Sequence, residues 1–169
     1  AGYGMLMDAI AEKRDAGATI EELETWTREN LIKMHHWVLV SDLQYLVRGG
    51  RLSKASGFFG TMLSICPIIN VNNEGKLIAR EKIRTKKKAI KALVAKMEAL
   101  AENGTEYNGK CFISNSACLE DAQAVAELIK EKIPSVQDII INPIGTTIGS
   151  HTGPGTVALF FKGAKKRVD

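Results

Sequence analysis

The segment Ile144–Thr156, with the sequence IGTTIGSHTGPGT, is composed like an anion-binding loop. Its four glycines, Gly153 among them, allow backbone N–H groups to converge on a ligand, and Ser150, His151 and Thr152 add side-chain donors. Such a loop could hold a carboxylate or a phosphate without a metal ion. The same composition fits a tight connection between two strands, in which His151 has no function. The phosphate-binding patterns GxxxxGK[ST] and GxGxxG do not occur in the sequence.

The sequence Gly49-Gly50-Arg51 predicts a second contact for an anion. Paired glycines end a helix readily, and an arginine directly after them can be held by the turn. A fixed guanidinium could bind a carboxylate or a phosphate through two parallel hydrogen bonds. The alternative is a solvated arginine that merely follows the end of a helix.

Positive charge is concentrated from Arg80 to Lys91, where seven basic residues stand against one acidic residue. This run attracts an anionic partner, or it is a solvated helix face that keeps the protein in solution. A nucleic-acid-binding surface would interleave aromatic side chains with the basic ones, whereas the nearest aromatic residue is Tyr107. The pattern therefore favours an acidic or phosphorylated partner over a nucleic acid.

The remaining histidines and cysteines predict neither a metal site nor a catalytic group. His35 and His36 are adjacent at an expected helix-to-strand junction, and neighbouring side chains on a helix diverge. Cys66, Cys111 and Cys118 form no CxxC pair, which argues against a zinc site or a disulfide framework and favours a reducing compartment. Cys111 is expected in the core. We therefore expect a cytoplasmic protein without a metal site, and nothing in these residues demands a catalytic nucleophile.

Short apolar runs predict six strands from Trp37 onward, mixed with four helices. The strands are expected at residues 37–40, 67–71, 76–80, 110–114, 138–142 and 156–161, with a hairpin turn at residues 72–75. Because the elements alternate without strict βαβ repetition, the predicted class is α+β or α/β, a mixed six-stranded sheet packed with helices. Two earlier helices without strands predict a helical remnant of a preceding domain at residues 1–36, followed by an α/β domain at residues 37–169.

Hydroxyl side chains predict where several helices begin. The pairs Thr19–Glu22 and Ser41–Gln44 both have the spacing of a capping box. Thr85 and Ser116 are expected to cap two later helices. These caps would determine where the helices begin.

Residues 53–65, with the sequence SKASGFFGTMLSI, predict an apolar helix. Phe58, Phe59 and Met62 cover more than one face of that helix, so some of its apolar surface must meet a core, a partner or a ligand. Burial in the core is the simpler interpretation.

Composition excludes several classes of protein. The chain has 169 residues, of which 45% are hydrophobic and 25% charged, as in a globular domain. No apolar run approaches the roughly 18 residues that span a bilayer, and no basic segment precedes a short apolar one at the start. Membrane-spanning, collagen, coiled-coil and disulfide-scaffold proteins are excluded. Because the chain begins partway into an expected helix, we expect a fragment.

Three blocks of the sequence, taken together, resemble the DegV family. Residues 42–52 (DLQYLVRGGRL) resemble its D-L-x-Y-L-x-x-G-G-R-[IL] segment, and residues 67–89 resemble the stretch that follows. Residues 144–155 resemble its I-G-x-x-I-G-x-H-T-G-P-G signature. The blocks occur in order over nearly the whole chain, which is identified as the C-terminal part of a member of this family.

The resemblance implies a two-domain bacterial fatty-acid-binding protein, some members of which present the ligand to a separate fatty acid kinase. It implies that this chain is not an enzyme, has no catalytic residue and needs no cofactor. It implies that the carboxylate of a long-chain fatty acid lies near Ser150, His151, Thr152 and Gly153. It further implies an acyl tunnel for which Phe58, Phe59 and Met62 are candidates. For contact with a kinase, the candidates are Arg51, Arg84, Lys86 and Lys87.

Two other functions remain open on the sequence alone. One is an enzyme that processes a phosphorylated metabolite with the glycine-rich segment around His151, and the other is a basic nucleic-acid-binding module. The family's first domain, with its Ser-Gly-Thr carboxylate-contacting segment, has no counterpart in this sequence. Half of the ligand clamp would then be missing, and the uncovered apolar surface would favour a dimer.

Overall fold

The central element of the molecule is a six-stranded sheet. A computed structural model describes residues 1–52 and 65–169. The strands are β1 (Met34–Leu39), β2 (Ile65–Val71), β3 (Leu77–Arg84), β4 (Lys110–Ser116), β5 (Asp138–Pro143) and β6 (Thr156–Lys162). The helices in this part of the chain are α1 (Gly2–Asp15), α2 (Ile20–Asn30), α3 (Gln44–Arg48), α4 (Lys86–Leu100), α5 (Leu119–Lys132) and α6 (Thr146–Thr152).

The sheet is mixed, as the sequence predicts. Its strands lie in the order β3-β2-β1-β6-β4-β5. β4 and β5 are parallel, and every other neighbouring pair is antiparallel. The predicted hairpin between β2 and β3 is also present: the amide of Gly75, at φ +79°, donates to the carbonyl of Asn72 at 3.1 Å.

Helices α4 and α5 cover one face of the sheet. Because successive side chains of a strand point to opposite faces, Trp37 and Leu39 of β1 lie on the covered face, in the core that includes Leu93 of α4 and Ile129 of α5. Leu39, Leu93 and Ile129 are completely buried. Cys111 belongs to the same core, which confirms that prediction. The intervening residues of β1 therefore point to the opposite face of the sheet.

Helix α1 packs across one end of that opposite face. Met5 contacts the cluster that contains Met34 of β1 and Phe112 of β4. The ammonium group of Lys110, at the start of β4, forms an ion pair with Asp8 at 2.9 Å. The first helix is therefore attached directly to the sheet.

Strand β1 begins at Met34, three residues earlier than the sequence predicted. His35 and His36 consequently lie within a strand, and the expected helix-to-strand junction at these residues is wrong. Their side chains point to opposite faces. His35 stacks on Phe161 with ring centroids 5.3 Å apart, and its Nε2 lies 3.1 Å from the carbonyl oxygen of Lys165. That nitrogen carries the proton, because a carbonyl oxygen only accepts.

The capping box at the start of α2 is present. The Thr19 hydroxyl accepts a hydrogen bond from the amide of Glu22 at 3.3 Å, and the Glu22 carboxylate accepts one from the amide of Thr19 at 2.8 Å. Gly17, at φ +96°, follows the end of α1 and provides the left-handed residue that a helix end favours. Both features depend on residues close together in the chain.

Three other predicted caps are wrong. The Ser41 hydroxyl donates to the carbonyl of Gly155 at 3.0 Å and so joins two distant segments instead of starting α3. Thr85 precedes α4 and Ser116 lies shortly before α5, yet neither hydroxyl makes a capping hydrogen bond. Thr85 has a φ of +75°, a backbone conformation that is not that of an ordinary N-cap residue.

Candidate functional site

A cavity of about 960 Å³ lies on the sheet face opposite α4 and α5. The strand register defines its floor: Val38 of β1 lies opposite Ile69 of β2 on one side and Ala158 of β6 on the other. All three line the cavity. Phe160, two residues along β6, continues the same apolar surface. A floor of this kind buries a hydrocarbon chain and offers no counter-charge to a phosphate.

The glycine-rich segment forms helix α6 at one end of the cavity, so the prediction of an open loop is wrong. The amide of Gly149 donates to the carbonyl of Gly145 at 2.9 Å, and the amide of Gly153 donates to that of Gly149 at 2.8 Å. The amide of Gly155 donates to the carbonyl of Ser116 at 2.7 Å. Because these N–H groups are already paired, they do not form the expected anion nest.

Glycines allow α3 and α6 to pack closely against each other. A Cβ atom on Gly153 would lie 2.5 Å from Cδ2 of Tyr45 in α3. A Cβ atom on Gly49, at the end of α3, would overlap Nδ1 of His151. Two of the motifs recognised in the sequence, separated by about one hundred residues, therefore meet in space and require glycine where they touch.

The structure brings Arg51, His151 and Thr152 together along the cavity. The guanidinium of Arg51 donates from Nη1 to the carbonyl of Gly49 at 2.8 Å, so the turn does hold this side chain, as predicted. Its other N–H groups remain available as donors. The Thr152 hydroxyl donates to the carbonyl of Ile148 at 3.2 Å, which leaves its oxygen to accept.

Ser150 and Gly153 occupy different surroundings from His151. The Ser150 hydroxyl is exposed and donates to the carbonyl of Thr147 at 2.8 Å within α6. Gly153 is buried beneath Tyr45. Neither residue is among those that line the cavity, so their expected contact with a carboxylate stays a prediction.

Of the four basic residues predicted to contact a kinase, Arg51 lies along the cavity, and the other three lie at and after the end of β3. Arg84 ends this edge strand and is exposed, and so is Lys87 in the first turn of α4. Lys86 forms an ion pair with Asp121 of α5 at 2.8 Å, and this hydrogen bond raises the pKa of Lys86. A Cβ atom on Gly155 would lie 3.9 Å from the Lys86 ammonium group, which places the basic run beside the end of the α6 segment.

Phe58, Phe59 and Met62, the predicted tunnel residues, lie outside the residues that the structure describes. Within residues 1–52 and 65–169, no three His, Cys, Asp or Glu side chains are grouped to hold a metal ion. No helix in this same part of the chain is long and apolar enough to cross a membrane.

Sequence reasoning missed several polar residues that line the cavity, among them Lys76, His36 and Ser114. His36 meets the ring of Phe160 edge-on with centroids 5.2 Å apart, and a Cβ atom on Gly2 of α1 would lie 2.6 Å from its Nε2. Burial, together with the positive charge of Arg167, lowers the pKa of His36 to about 4. Strand alternation counted from Met34 would have placed His36 on this face.

We expect the stability of the protein to fall as the pH is lowered below about 6.5, the ordinary histidine pKa that His36 regains on unfolding. Because the folded pKa of about 4 is lower, the unfolded chain binds more protons between these two values. The stabilisation is complete above about pH 6.5 and is lost toward pH 4, at a cost of up to about 3 kcal/mol. Urea denaturation at pH 7 and about 4.5 measures this loss. A His36→Phe variant should show a smaller loss, and equal losses would contradict the assignment.

The chain matches known proteins over nearly its whole length. The family model described as "Uncharacterised protein, DegV family" matches residues 1–163. A DegV domain-containing protein from Clostridium perfringens is 42% identical over 165 residues, which cover 98% of this chain and 56% of that protein. The chain thus spans little more than half the length of this curated relative.

Two solved structures have the same fold. A DegV lipid-binding protein from Thermotoga maritima is 28% identical with a TM-score of 0.83, and the match covers 98% of this chain and 56% of that one. A fatty-acid-binding DegV family protein from Streptococcus agalactiae is 30% identical with a TM-score of 0.79, over 98% of this chain and 57% of that one. From the family model and these relatives together, we conclude that the chain belongs to the DegV family.

Proposed function

We propose that this chain binds a long-chain fatty acid on the face of its sheet opposite α4 and α5. The observation that carries the proposal is the division of one cavity into an apolar floor and a polar end. Val38, Ile69 and Ala158 supply the floor, whereas Arg51 and His151 lie where α3 and α6 meet. The acyl chain then lies along the floor and the carboxylate points to the polar end.

Burial of the acyl chain supplies most of the binding free energy in this proposal. Each buried CH₂ group contributes about 0.8 kcal/mol, so about ten of them contribute about 8 kcal/mol before the cost of association. The volume of about 960 Å³ lies near the upper end of the range for small-molecule sites. Few polar contacts are then needed, and they serve to orient the ligand.

Donors at the polar end suit a carboxylate. Arg51 is held by its bond to the carbonyl of Gly49 and has further N–H groups to donate. His151 packs against Gly49 from α6, so the two side chains are positioned by the same contact between helices. Thr152, which lines the cavity, and Ser150, which does not, stay proposed contacts of the carboxylate. Each hydroxyl would turn from its carbonyl partner within α6 to donate to the ligand.

We further propose that the bound fatty acid is presented to a separate fatty acid kinase in the cytoplasm. The DegV resemblance supports this step, and the exposed Arg84 and Lys87 supply positive charge beside the α6 segment, with Lys86 next to them. In this scheme the chain itself transfers no phosphoryl group. The part of the DegV relatives that this chain does not cover would close this face of the sheet over the ligand.

Native mass spectrometry followed by denaturing lipid extraction tests the binding function. The 169-residue chain and a chimera that adds the N-terminal domain of a DegV relative are purified from bacteria. We expect fatty acid from the chimera, and from the chain alone if the sheet face suffices for retention. A folded chain and a folded chimera that both lack fatty acid, and that take up none when it is added, would overturn the proposal.

Charge reversal at the basic run should separate binding from presentation to the kinase. In an Arg84→Glu/Lys87→Glu variant we expect unchanged affinity for fatty acid, because neither side chain lines the cavity. Formation of acyl phosphate with ATP and a bacterial fatty acid kinase should fall at least about tenfold, because complementary charge accelerates association. Lys130→Glu/Lys166→Glu is the charge-matched control, since both lysines are exposed elsewhere. Equal rates in the two variants would exclude this surface as the kinase contact.

A further inference from the structure

Ser114 differs from the other buried polar residues of the molecule. Seven polar residues are buried in the part of the chain that the structure describes. Six of them have hydrogen bonds to their side chains: Asn30, His35, Asn70, Asn72, Asn115 and Thr156. The hydroxyl of Ser114, which is only 6% exposed, has no such partner within residues 1–52 and 65–169.

Ser114 lies on the cavity floor among apolar side chains. It is in β4, directly opposite Ala158 of β6, which is in turn opposite Val38 of β1. The three residues form one row across the sheet, and all of them line the cavity. The hydroxyl therefore faces the space in which the acyl chain is proposed to lie.

Solvent reaches the Ser114 hydroxyl in the empty cavity, since among the described residues the buried side-chain atoms without a partner are Asn73 Oδ1 and Arg167 Nε. An unsubstituted acyl chain laid over this hydroxyl would displace that solvent and leave the group buried and unpaired, which weakens binding, whereas alanine would fit the same row without this penalty. The adjacent Asn115 shows that β4 pairs its other buried polar side chain, since the Asn115 Oδ1 accepts from the amide of Cys118 at 3.4 Å. The hydroxyl of Ser114 is thus left for something that enters the cavity.

We propose that Ser114 pairs with an oxygen atom carried on the acyl chain, so that the preferred ligand is a long-chain fatty acid bearing a hydroxyl or keto group. This inference rests on the proposed fatty-acid binding. The carboxylate is not the partner, because Arg51 and His151 provide its donors where α3 meets α6, whereas Ser114 projects from β4 beside Ala158. A hydroxyl or keto oxygen satisfies Ser114 without bringing a charge onto the apolar floor.

Isothermal titration calorimetry with a series of ligands tests the proposal on the 169-residue chain and on its chimera with a relative's N-terminal domain. The probes are octadecanoic acid and hydroxy-octadecanoic acids with the hydroxyl at successive positions along the chain. In a Ser114→Ala variant, the affinity for the best hydroxylated acid should fall about five- to tenfold, which corresponds to one hydrogen bond. The affinity for octadecanoic acid should be unchanged or higher.

Two further variants make the result specific. Ser116→Ala removes a hydroxyl two residues along the same strand and outside the cavity lining, and it should leave both affinities unchanged. Ser114→Thr keeps the hydroxyl and should therefore retain the wild-type preference for the hydroxylated acid over octadecanoic acid. Suppose that Ser114→Ala lowers the affinity for all the acids equally, or for none of them, while octadecanoic acid still binds. The pairing of Ser114 with a ligand oxygen is then contradicted, and the proposed fatty-acid binding stands. If the wild-type proteins bind no acid at all, both fail.

Discussion

Replacement of Ala158 by tryptophan is expected to abolish the proposed fatty-acid binding while leaving the fold intact. Ala158 lies in the middle of the cavity floor between Val38 and Ser114. An indole at this position occupies the space of about four to six CH₂ groups, which corresponds to about 3–5 kcal/mol of binding free energy. The affinity should therefore fall about 10²- to 10³-fold. Titration with a fluorescent long-chain fatty acid measures the change.

The control for this variant is Ala95→Trp, which adds the same side chain on the exposed side of α4. Both variants should unfold in urea at nearly the wild-type midpoint, because neither indole enters the core between the sheet and its two covering helices. Binding that survives Ala158→Trp at wild-type affinity would show that the acyl chain lies elsewhere. Equal loss of binding in Ala95→Trp would point to a general effect of the added indole.

Replacement of Gly153 by valine is expected to disrupt the polar end of the cavity. Gly153 has φ +77° and ψ 171°, a combination that is almost exclusive to glycine, and it packs directly beneath Tyr45. A branched side chain there is strained and collides with the ring. We expect a loss of about 3 kcal/mol in the free energy of unfolding, displacement of α6 from α3, and at least tenfold weaker fatty-acid binding.

Gly145→Ala provides the matched comparison within the same motif. Gly145 has φ −63°, and a Cβ atom there would have no neighbour within 4 Å. The free energy of unfolding and the affinity should therefore stay close to those of the wild type. If the two substitutions have similar effects, the close contact between α3 and α6 does not determine the site. Urea denaturation and ligand titration on both variants decide between these outcomes.

The features that the sequence predicted correctly are those decided by neighbouring residues. The hairpin at residues 72–75 depends on its own turn residues, and the capping box depends on Thr19 and Glu22 alone. The strands were predicted from short apolar runs. These runs are apolar on both sides because α4 and α5 cover one face of the sheet and the other face forms the cavity floor. The order of the strands has no local signal, since each central strand pairs with segments distant in the chain.

Helix α6 shows why the glycine-rich segment was mistaken for a loop. Its seven residues include a glycine and three threonines, all of which are poor helix formers. The helix forms nonetheless, because His151 and the following Gly153 pack against Gly49 and Tyr45 of the α3 segment. Tertiary packing overrides propensity here. The same reason applies to Ser41, whose hydroxyl bonds to Gly155 rather than to its own helix.

The site was predictable in part. Arg51 and His151 were each singled out by local composition, and the resemblance gave them different roles, a kinase contact for Arg51 and the carboxylate for His151. Only the packing of α3 against α6 places both along one cavity. His36 and Ser114 were missed because their role depends on which face of a strand they occupy, and that depends on the start and pairing of β1 and β4. The face of a polar residue in a strand becomes predictable only when the register is known.

The position of β6 has a consequence for how the molecule folds. β6 follows the other described strands in the chain, yet it lies between β1 and β4 and is the only strand that joins β3-β2-β1 to β4-β5. Its pairing of Lys162 with Met34 links residues far apart in sequence, which slows folding. Until β6 docks, β1 and β4 are open sheet edges that invite aggregation. The edges of β1 and β4 in the nascent chain therefore remain unpaired until residues 156–162 have been synthesised. We expect folding to depend most on chaperones in that interval.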